Sequence, residues 1–350
     1  MTLDTSAGNG ARQPPTVRVA VDAMGGDRGP EEVVLGALEA ARGGVTPILF
    51  GPRSLETGGL ELVETSQTIG MQEKPAEAVR SKPDSSLVRA CHAVAAGDAD
   101  VVISAGNTGA MLAAGLLELR RLPGVQRPAI AVPLPADGAP SVMLDCGANA
   151  DARAEHLLQF AHMGSIFAEE ILELDAPSVR LLSIGEEAEK GNQLTLEAHR
   201  VLAGDRALGF AGNVESRHLL ETPGQVVVCD GFTGNVCLKA IEGTILTVLG
   251  SLREQLRASR RGRVAGLLMR PAARSVRARL DPDTYGGAYL LGLRHLAVIA
   301  HGNSSSHAIA NAVRLAARGV HHSVVERLAE RVGERVVASA GPETDPPQVR

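Results

Sequence analysis

The chain has 350 residues, a formal net charge of −5, 44% hydrophobic residues and only 2% aromatics, with no tryptophan. That is ample apolar material for one large core or two lobes. It leaves few rings for stacking bases, which argues against a nucleic-acid reader. Cys91, Cys146, Cys229 and Cys237 stand far apart in apolar stretches, without the paired spacing of zinc or redox sites. Buried thiols are therefore expected, with no metal and no cofactor. The N-terminus is polar and rich in Gly and Pro, and no apolar run of membrane-spanning length (about 18 residues) follows it, so a cytoplasmic protein is expected.

Residues 1–16 and 339–350 lack apolar periodicity and read as disordered tails around a single α/β domain, 17–338. Val17 to Asp22 reads as a strand, Pro30 to Arg42 as a helix with proline in its first turn, Thr46 to Phe50 and Glu61 to Glu64 as strands. Lys74 to Ala96 looks helical after an early break, with Ser85 or Ser86 as a cap. Val101 to Ser104 is a strand followed by a helix over Gly109 to Leu119, and Ala129 to Pro133 and Val142 to Asp145 are strands. An amphipathic helix His156 to Leu172, a strand Val179 to Ile184, a helix Leu194 to Leu202 and a strand Val226 to Cys229 complete the alternation. Such alternation predicts a mainly parallel, doubly wound sheet covered on both faces, an α/β/α sandwich.

Four junctions share one grammar, an apolar strand running into a loop rich in Gly and in Asp or Asn: VAVDAMGGDRGP from Val19, VVISAGNTGAML from Val101, VMLDCGANAD from Val142 and VVVCDGFTGNVCLK from Val226. In an open α/β sheet such junctions place side chains at the carboxyl edge and free N–H groups at helix starts, where anions bind. Four of them suggest one shared crevice. P-loop, nucleophile-elbow, zincin and dinucleotide fingerprints are all absent. What remains is a set of loops suited to holding a small anion through backbone amides, with Lys190, Lys239 and His301 as charged partners and phosphate as the natural anion. For the carboxylates the competing reading is helix capping alone.

Read together, DAMGGDRGP (from Asp22), SAGNTGAM (from Ser104), LDCGAN (from Leu144), GEEAEKGN (from Gly185), GNVESR (from Gly212), DGFTGNVCLK (from Asp230) and YGGAYLLGL (from Tyr285) resemble the bacterial phosphate acyltransferases in the correct order from about Val17 to Leu315. The resemblance implies a fold like that of the phosphotransacetylases and isocitrate dehydrogenases. It implies reversible transfer of a long-chain acyl group from acyl carrier protein to inorganic phosphate, towards phospholipid synthesis. It also implies a homodimer peripheral to the membrane, handing acyl phosphate to a membrane-bound glycerol-3-phosphate acyltransferase. The chain departs from the family pattern at Ser216, His218, Tyr289 and Ser305. A nicotinamide-dependent decarboxylating dehydrogenase would share the sheet pattern but should show a metal-binding carboxylate cluster. A lipid-synthesis scaffold would not need intact loops.

Phosphate is itself a nucleophile and a thiolate leaves readily, its thiol pKa being near ~8.5, so direct attack needs no enzyme nucleophile. The residues expected at the chemistry are Lys190, Asn235, His301 and Asp230. Those expected to bind or orient phosphate are Asp22, Gly25, Gly26, Asp27, Gly106, Asn107, Thr108, Gly109, Asn149, Thr233, Gly234 and Lys239. The segment 251–280 stands apart, with nine arginines against one glutamate. It reads as an inserted helical hairpin whose arms meet at an apolar tip, Val264 to Met269. Val264, Leu267, Leu268 and Met269 beside Arg263 and Arg270 suit an anionic membrane surface, the acidic carrier protein or a dimer partner.

Overall fold

The computed structural model describes residues 16–136, 138–280 and 286–339. The expected tails, apart from their innermost residues, and Tyr285 of the YGGAYLLGL motif lie outside these. Eleven strands form one sheet. In chain order they are β1 (Arg18–Asp22), β2 (Thr46–Gly51), β3 (Glu61–Glu64), β4 (Val101–Ser104), β5 (Ala129–Leu134), β6 (Ser141–Leu144), β7 (Ser178–Ser183), β8 (Phe210–Glu215), β9 (Gln225–Val228), β10 (Ala288–Leu291) and β11 (Leu296–Ile299). Across the sheet the order is β3-β2-β1-β4-β11-β10-β5-β6-β9-β7-β8.

Seven of the ten strand pairings are parallel, as the continuous apolar strands predict. The three antiparallel ones sit together at the centre, where β10 opposes β11 and β5, and β5 opposes β6. This central reversal splits the sheet. β1 to β4 and β11 run one way, and β6, β9, β7 and β8 run the other.

Alternate residues of each strand feed two cores. Val19 and Val21 face a layer built from α1 (Pro30–Ala41), α5 (Ala154–Ile171), α6 (Gln193–Gly204), α10 (Ser306–His321) and α11 (Val324–Ser339); Ala20 faces the opposite layer. That second layer holds α2 (Pro75–Ser81), α3 (Ser86–Ala96), α4 (Thr108–Ala114, continued by a π turn through Leu119) and the start of α7 (Gly231–Ala258). The early break expected in Lys74 to Ala96 is real: α3 restarts with Ser85 accepting from the Val88 amide at 3.4 Å. Tyr289, one of the departures from the family pattern, is fully buried, donates to the Leu315 carbonyl and meets the Phe167 ring edge-on at 5.1 Å. Ser305, another, caps α10.

The hairpin begins earlier than 251. α7 is one 28-residue helix from Gly231, because between its N-cap Asp230 and Ser259 nothing interrupts the backbone. The chain turns at Ser259, whose side chain caps α8 (Arg260–Leu268) by accepting from the Gly262 amide at 2.9 Å; Met269 then separates α8 from α9 (Arg270–Leu280). The tip is thus a short helix of its own and not a meeting of two arms. Contrary to the sequence expectation, α7 has the length and composition to cross a membrane, and only 6% of its most apolar stretch is buried. Its first turns carry Lys239 and Glu242 against the protein, so half of it is a wall of the domain.

Candidate active site

The strand reversal places the four loops in two pairs on opposite edges. On one edge, β1 ends at Asp22 and β4 at Ser104. Ser104 Oγ donates to Asp22 Oδ2 at 2.7 Å and accepts from the Gly106 amide at 3.0 Å. A Cβ on Gly25 would lie 2.7 Å from the Gly106 nitrogen and 2.8 Å from Asp22 Oδ2, so glycine is required there by the approach of the two loops. The Asp27 amide donates to the Gly302 carbonyl at 2.6 Å, which ties the loop after β11 to the same cluster. Burial pushes the Asp22 carboxyl above its ordinary range against the hydrogen bonds of Ser86 and Ser104. Asp22 is a buried brace. Asn107 caps α4 by accepting from Ala110 and donates to the Met71 and Glu73 carbonyls.

On the other edge Asp145 is the hub. It accepts from the amides of Ile130, Gly147, Ala148 and Asn149 and from Asn149 Nδ2, all within 3.2 Å. Burial still pushes its carboxyl upward. Asn149 also donates to the Pro128 carbonyl at 2.7 Å and is buried, so it holds the loop together. Asp230 accepts from the Thr233 amide at 2.9 Å and from Thr233 Oγ1 at 2.6 Å. For Asp230 and Thr233, capping is therefore the arrangement observed. Gly234 is demanded by packing, since a Cβ there would lie 2.0 Å from the Asp145 carbonyl oxygen.

A groove on the second face joins the two pairs. It encloses about 300 Å³, at the small end of ligand sites. α7 starts at the carboxyl end of β9 and climbs across the sheet until Glu242 meets His301, just past the opposite end of β11. Seven residues of helix, roughly 10 Å, separate Asn235 from Glu242. Gly106, Thr108 and Gly109 line the groove from one edge, and Gly147 and Asn235 from the other. His301 Nε2 is 2.9 Å from Glu242 Oε1, and Lys239 Nζ donates to Glu242 Oε2 at 2.8 Å. Burial pushes Glu242 up, but the hydrogen bonds and charges of His301 and Lys239 outweigh it and hold the carboxylate below its ordinary range. The rest of the wall is apolar: Ile130, Val132, Leu134, Leu238, Ile241 and Ile245. A polar patch of Asn235, Lys239, Glu242 and His301 thus opens on an apolar trough.

Of the residues expected at the chemistry, Asn235 and His301 reach the groove and Lys190 does not. β7 is separated from β6 by β9, and the Lys190 stem folds over its own loop against Gly185. Of the binding residues, Gly106, Thr108, Gly109 and Lys239 line the groove; Asp22, Gly25, Asn107, Asn149 and Gly234 shape it from behind. Gly26, with φ of 117°, and Asp27 sit beside Gly302 at its rim. Glu242 went unread, although Asn235, Lys239 and Glu242 recur at i, i+4 and i+7 on one helical face. Far from the groove, Val264, Leu267, Leu268 and Met269 are 61%, 61%, 77% and 44% exposed beside the exposed Arg263 and Arg270. Leu280, at the end of α9, returns to the groove wall.

A family model described as "Fatty acid synthesis protein" matches residues 17–327. Phosphate acyltransferases of Heliobacterium modesticaldum and Thermosynechococcus vestitus are 42% and 44% identical over 332 and 329 residues, covering 91% and 90% of this chain and 99% and 96% of their own. Among solved structures, a branched-chain phosphotransacylase from Enterococcus faecalis superposes with a TM-score of 0.56 at 18% identity, over 87% of this chain and 100% of its own. A phosphotransacetylase from Streptococcus pyogenes gives 0.56 at 17%, over 89% and 94%. At such identities these two establish the fold, an α/β sandwich of the phosphotransacetylase type.

Proposed function

This chain belongs to the phosphate acyltransferase family, and from that premise we propose that it moves a long-chain acyl group reversibly between acyl carrier protein and inorganic phosphate. Acyl transfer with phosphate follows from the family; the donor and the chain length are our reading. The observation that carries it is the groove, where Lys239, His301 and Asn235 stand next to an apolar trough. The polar end suits a phosphate dianion and the trough a hydrocarbon chain.

In this reading a phosphate oxygen attacks the thioester carbonyl. The C–O bond forms and the C–S bond breaks, leaving acyl phosphate and the carrier thiolate, which is protonated by solvent. No residue need carry the acyl group. The protein's part is to hold phosphate against the carbonyl, a contribution of roughly 7–11 kcal/mol, and to aim donors at the developing oxyanion, about 3–4 kcal/mol for each well-placed one. Lys239 supplies charge to the phosphate. Asn235 and His301 supply donors from opposite edges of the groove. Glu242 fixes both Lys239 and His301. The exposed apolar positions of the outer half of α7, Leu246, Val248 and Leu252, suit cover by a second copy in a homodimer. The α8 tip suits contact with an anionic membrane, where acyl phosphate would be delivered to a glycerol-3-phosphate acyltransferase. A cytoplasmic, peripherally attached enzyme is the consistent picture.

The test is to incubate purified protein with palmitoyl-charged acyl carrier protein and labelled phosphate. Labelled acyl phosphate is expected, and Asn235→Ala should lower its rate at least tenfold with unchanged circular dichroism. No labelled product from the wild-type protein would end this reading.

A further inference from the structure

One cavity takes no part in this chemistry. It lies on the other side of the loop 145–149, where Ala148 and Asn149 replace Cys146 and Gly147 as the lining, and one turn further along α4, at Leu112 and Leu116. It encloses about 830 Å³, and its polar wall holds Arg121, Arg127, Arg153 and His156 against a single carboxylate, Asp151. Among the described residues neither Arg127 nor Arg153 has an acidic partner. Arg121 spends one N–H on the Gln126 carbonyl at 2.5 Å.

His156 differs from these exposed arginines, being 8% exposed. Its Nδ1 accepts from the Arg153 amide at 3.2 Å, which places the ring proton on Nε2. Among the described residues that Nε2–H has no acceptor on the protein. Burial first, then the charges of Arg127 and Arg153, push the imidazole below its ordinary range, so it is a neutral donor at pH 7. α5 also begins here, and its Ala154 and Glu155 amides are without a protein acceptor among the described residues. The Asp145 carboxylate pins the amides of Gly147, Ala148 and Asn149, so the dividing loop is a fixed wall.

We propose that the cavity formed by Arg127, Arg153 and His156 is a second phosphoryl-binding site, separate from the groove. Two guanidinium forks, a neutral imidazole N–H and a helix start offer donors from several sides, which fits a phosphate ester or phosphate ion. Two sources share that chemistry: inorganic phosphate and the phosphodiester of the carrier's phosphopantetheine arm. Only the second source rests on the function proposed above.

The experiment is calorimetric titration of the full-length protein with inorganic phosphate, with 4′-phosphopantetheine and with pantetheine lacking the phosphate, in wild type and in Arg127→Ser with Arg153→Ser. Both arginines are exposed, so the double variant should fold; circular dichroism checks it. Wild type should bind 4′-phosphopantetheine at least tenfold more tightly than pantetheine, and the variant should lose that difference while keeping its affinity for inorganic phosphate within twofold. A variant that instead loses inorganic phosphate supports the site and assigns it to the free ion. Wild-type affinities retained in the variant for both ligands, or no binding of either by the wild type, would overturn the proposal. His156→Gln, which keeps an N–H donor, should retain more of the affinity than His156→Leu. Failure of acyl-phosphate formation would sink the proposed function and leave this binding result standing.

Discussion

Replacing Gly234 by alanine tests whether α7 is positioned by its contact with the Asp145 loop. The added methyl would lie 2.0 Å from the Asp145 carbonyl oxygen and 2.8 Å from Cys229 Sγ. An ordinary carbon–oxygen contact is about 3.3–3.6 Å, so helix or loop must retreat by more than ~1 Å. Both partners are buried and backbone-bonded, since the Asp145 amide donates to the Cys229 carbonyl at 3.0 Å, so the strain cannot be shed by a side-chain rotation. Overpacking of this kind costs about 1–3 kcal/mol. The catalytic cost should be larger. α7 carries Asn235, Lys239 and Glu242 as one rigid body, and a displacement of about 1 Å at a reacting centre costs on the order of a hundredfold. Gly234→Ala should therefore lower acyl-phosphate formation roughly a hundredfold while urea unfolding shows only the modest stability loss. Gly204→Ala in α6, where a Cβ meets nothing within 4 Å, is the matched control and should leave both unchanged. Turnover of Gly234→Ala within about threefold of wild type, at full stability, would refute the argument that this close approach sets the groove.

Glu242→Gln keeps the shape but loses two charge-assisted bonds. Each is nominally about 1.5–3 kcal/mol, but the Lys239 and His301 side chains are 55% and 39% exposed, so roughly 1–2 kcal/mol in total is expected after screening. Because the folded carboxyl lies below its ordinary value of 4.5, that stability is present above pH 4.5 and disappears as the pH falls through the folded value. Wild type and variant should thus differ in unfolding free energy at pH 7 and converge on acidification, and turnover should fall about tenfold; a gap that widens below pH 4.5 would invert the assignment. Leu267→Glu with Leu268→Glu should abolish sedimentation with anionic vesicles while preserving the proposed homodimer and the proposed reaction in solution. Unchanged vesicle binding would remove the tip from the membrane, and a monomeric variant would move it to the subunit interface.

Most strands were legible because a parallel strand buried on both faces shows as an unbroken apolar run, as in Val101 to Ser104 and Val226 to Val228. What such runs do not encode is direction. The three successive antiparallel pairings, β11 with β10, β10 with β5 and β5 with β6, leave the two halves of the sheet running in opposite directions, and so loops that look equivalent in sequence lie on opposite edges. Lys190, expected at the chemistry from its charge and its motif GEEAEKGN, lies outside the groove because strand order, unlike strand identity, is a property of the whole chain. Glycine misled in a related way. Gly25 and Gly234 look like phosphate-loop residues, yet each is glycine because another backbone occupies the space of a Cβ.

Charge misled at the hairpin, where the arginine density rising after Ser251 invites a boundary that the backbone does not have. A helix starts where its first amides lack intrahelical partners, and the residues that mark such starts here are Asp230 and Ser259, each accepting from the amide three positions on. With α7 unbroken between them, one rod carries the groove's Asn235, Lys239 and Glu242 at one end and leads to the exposed tip at the other.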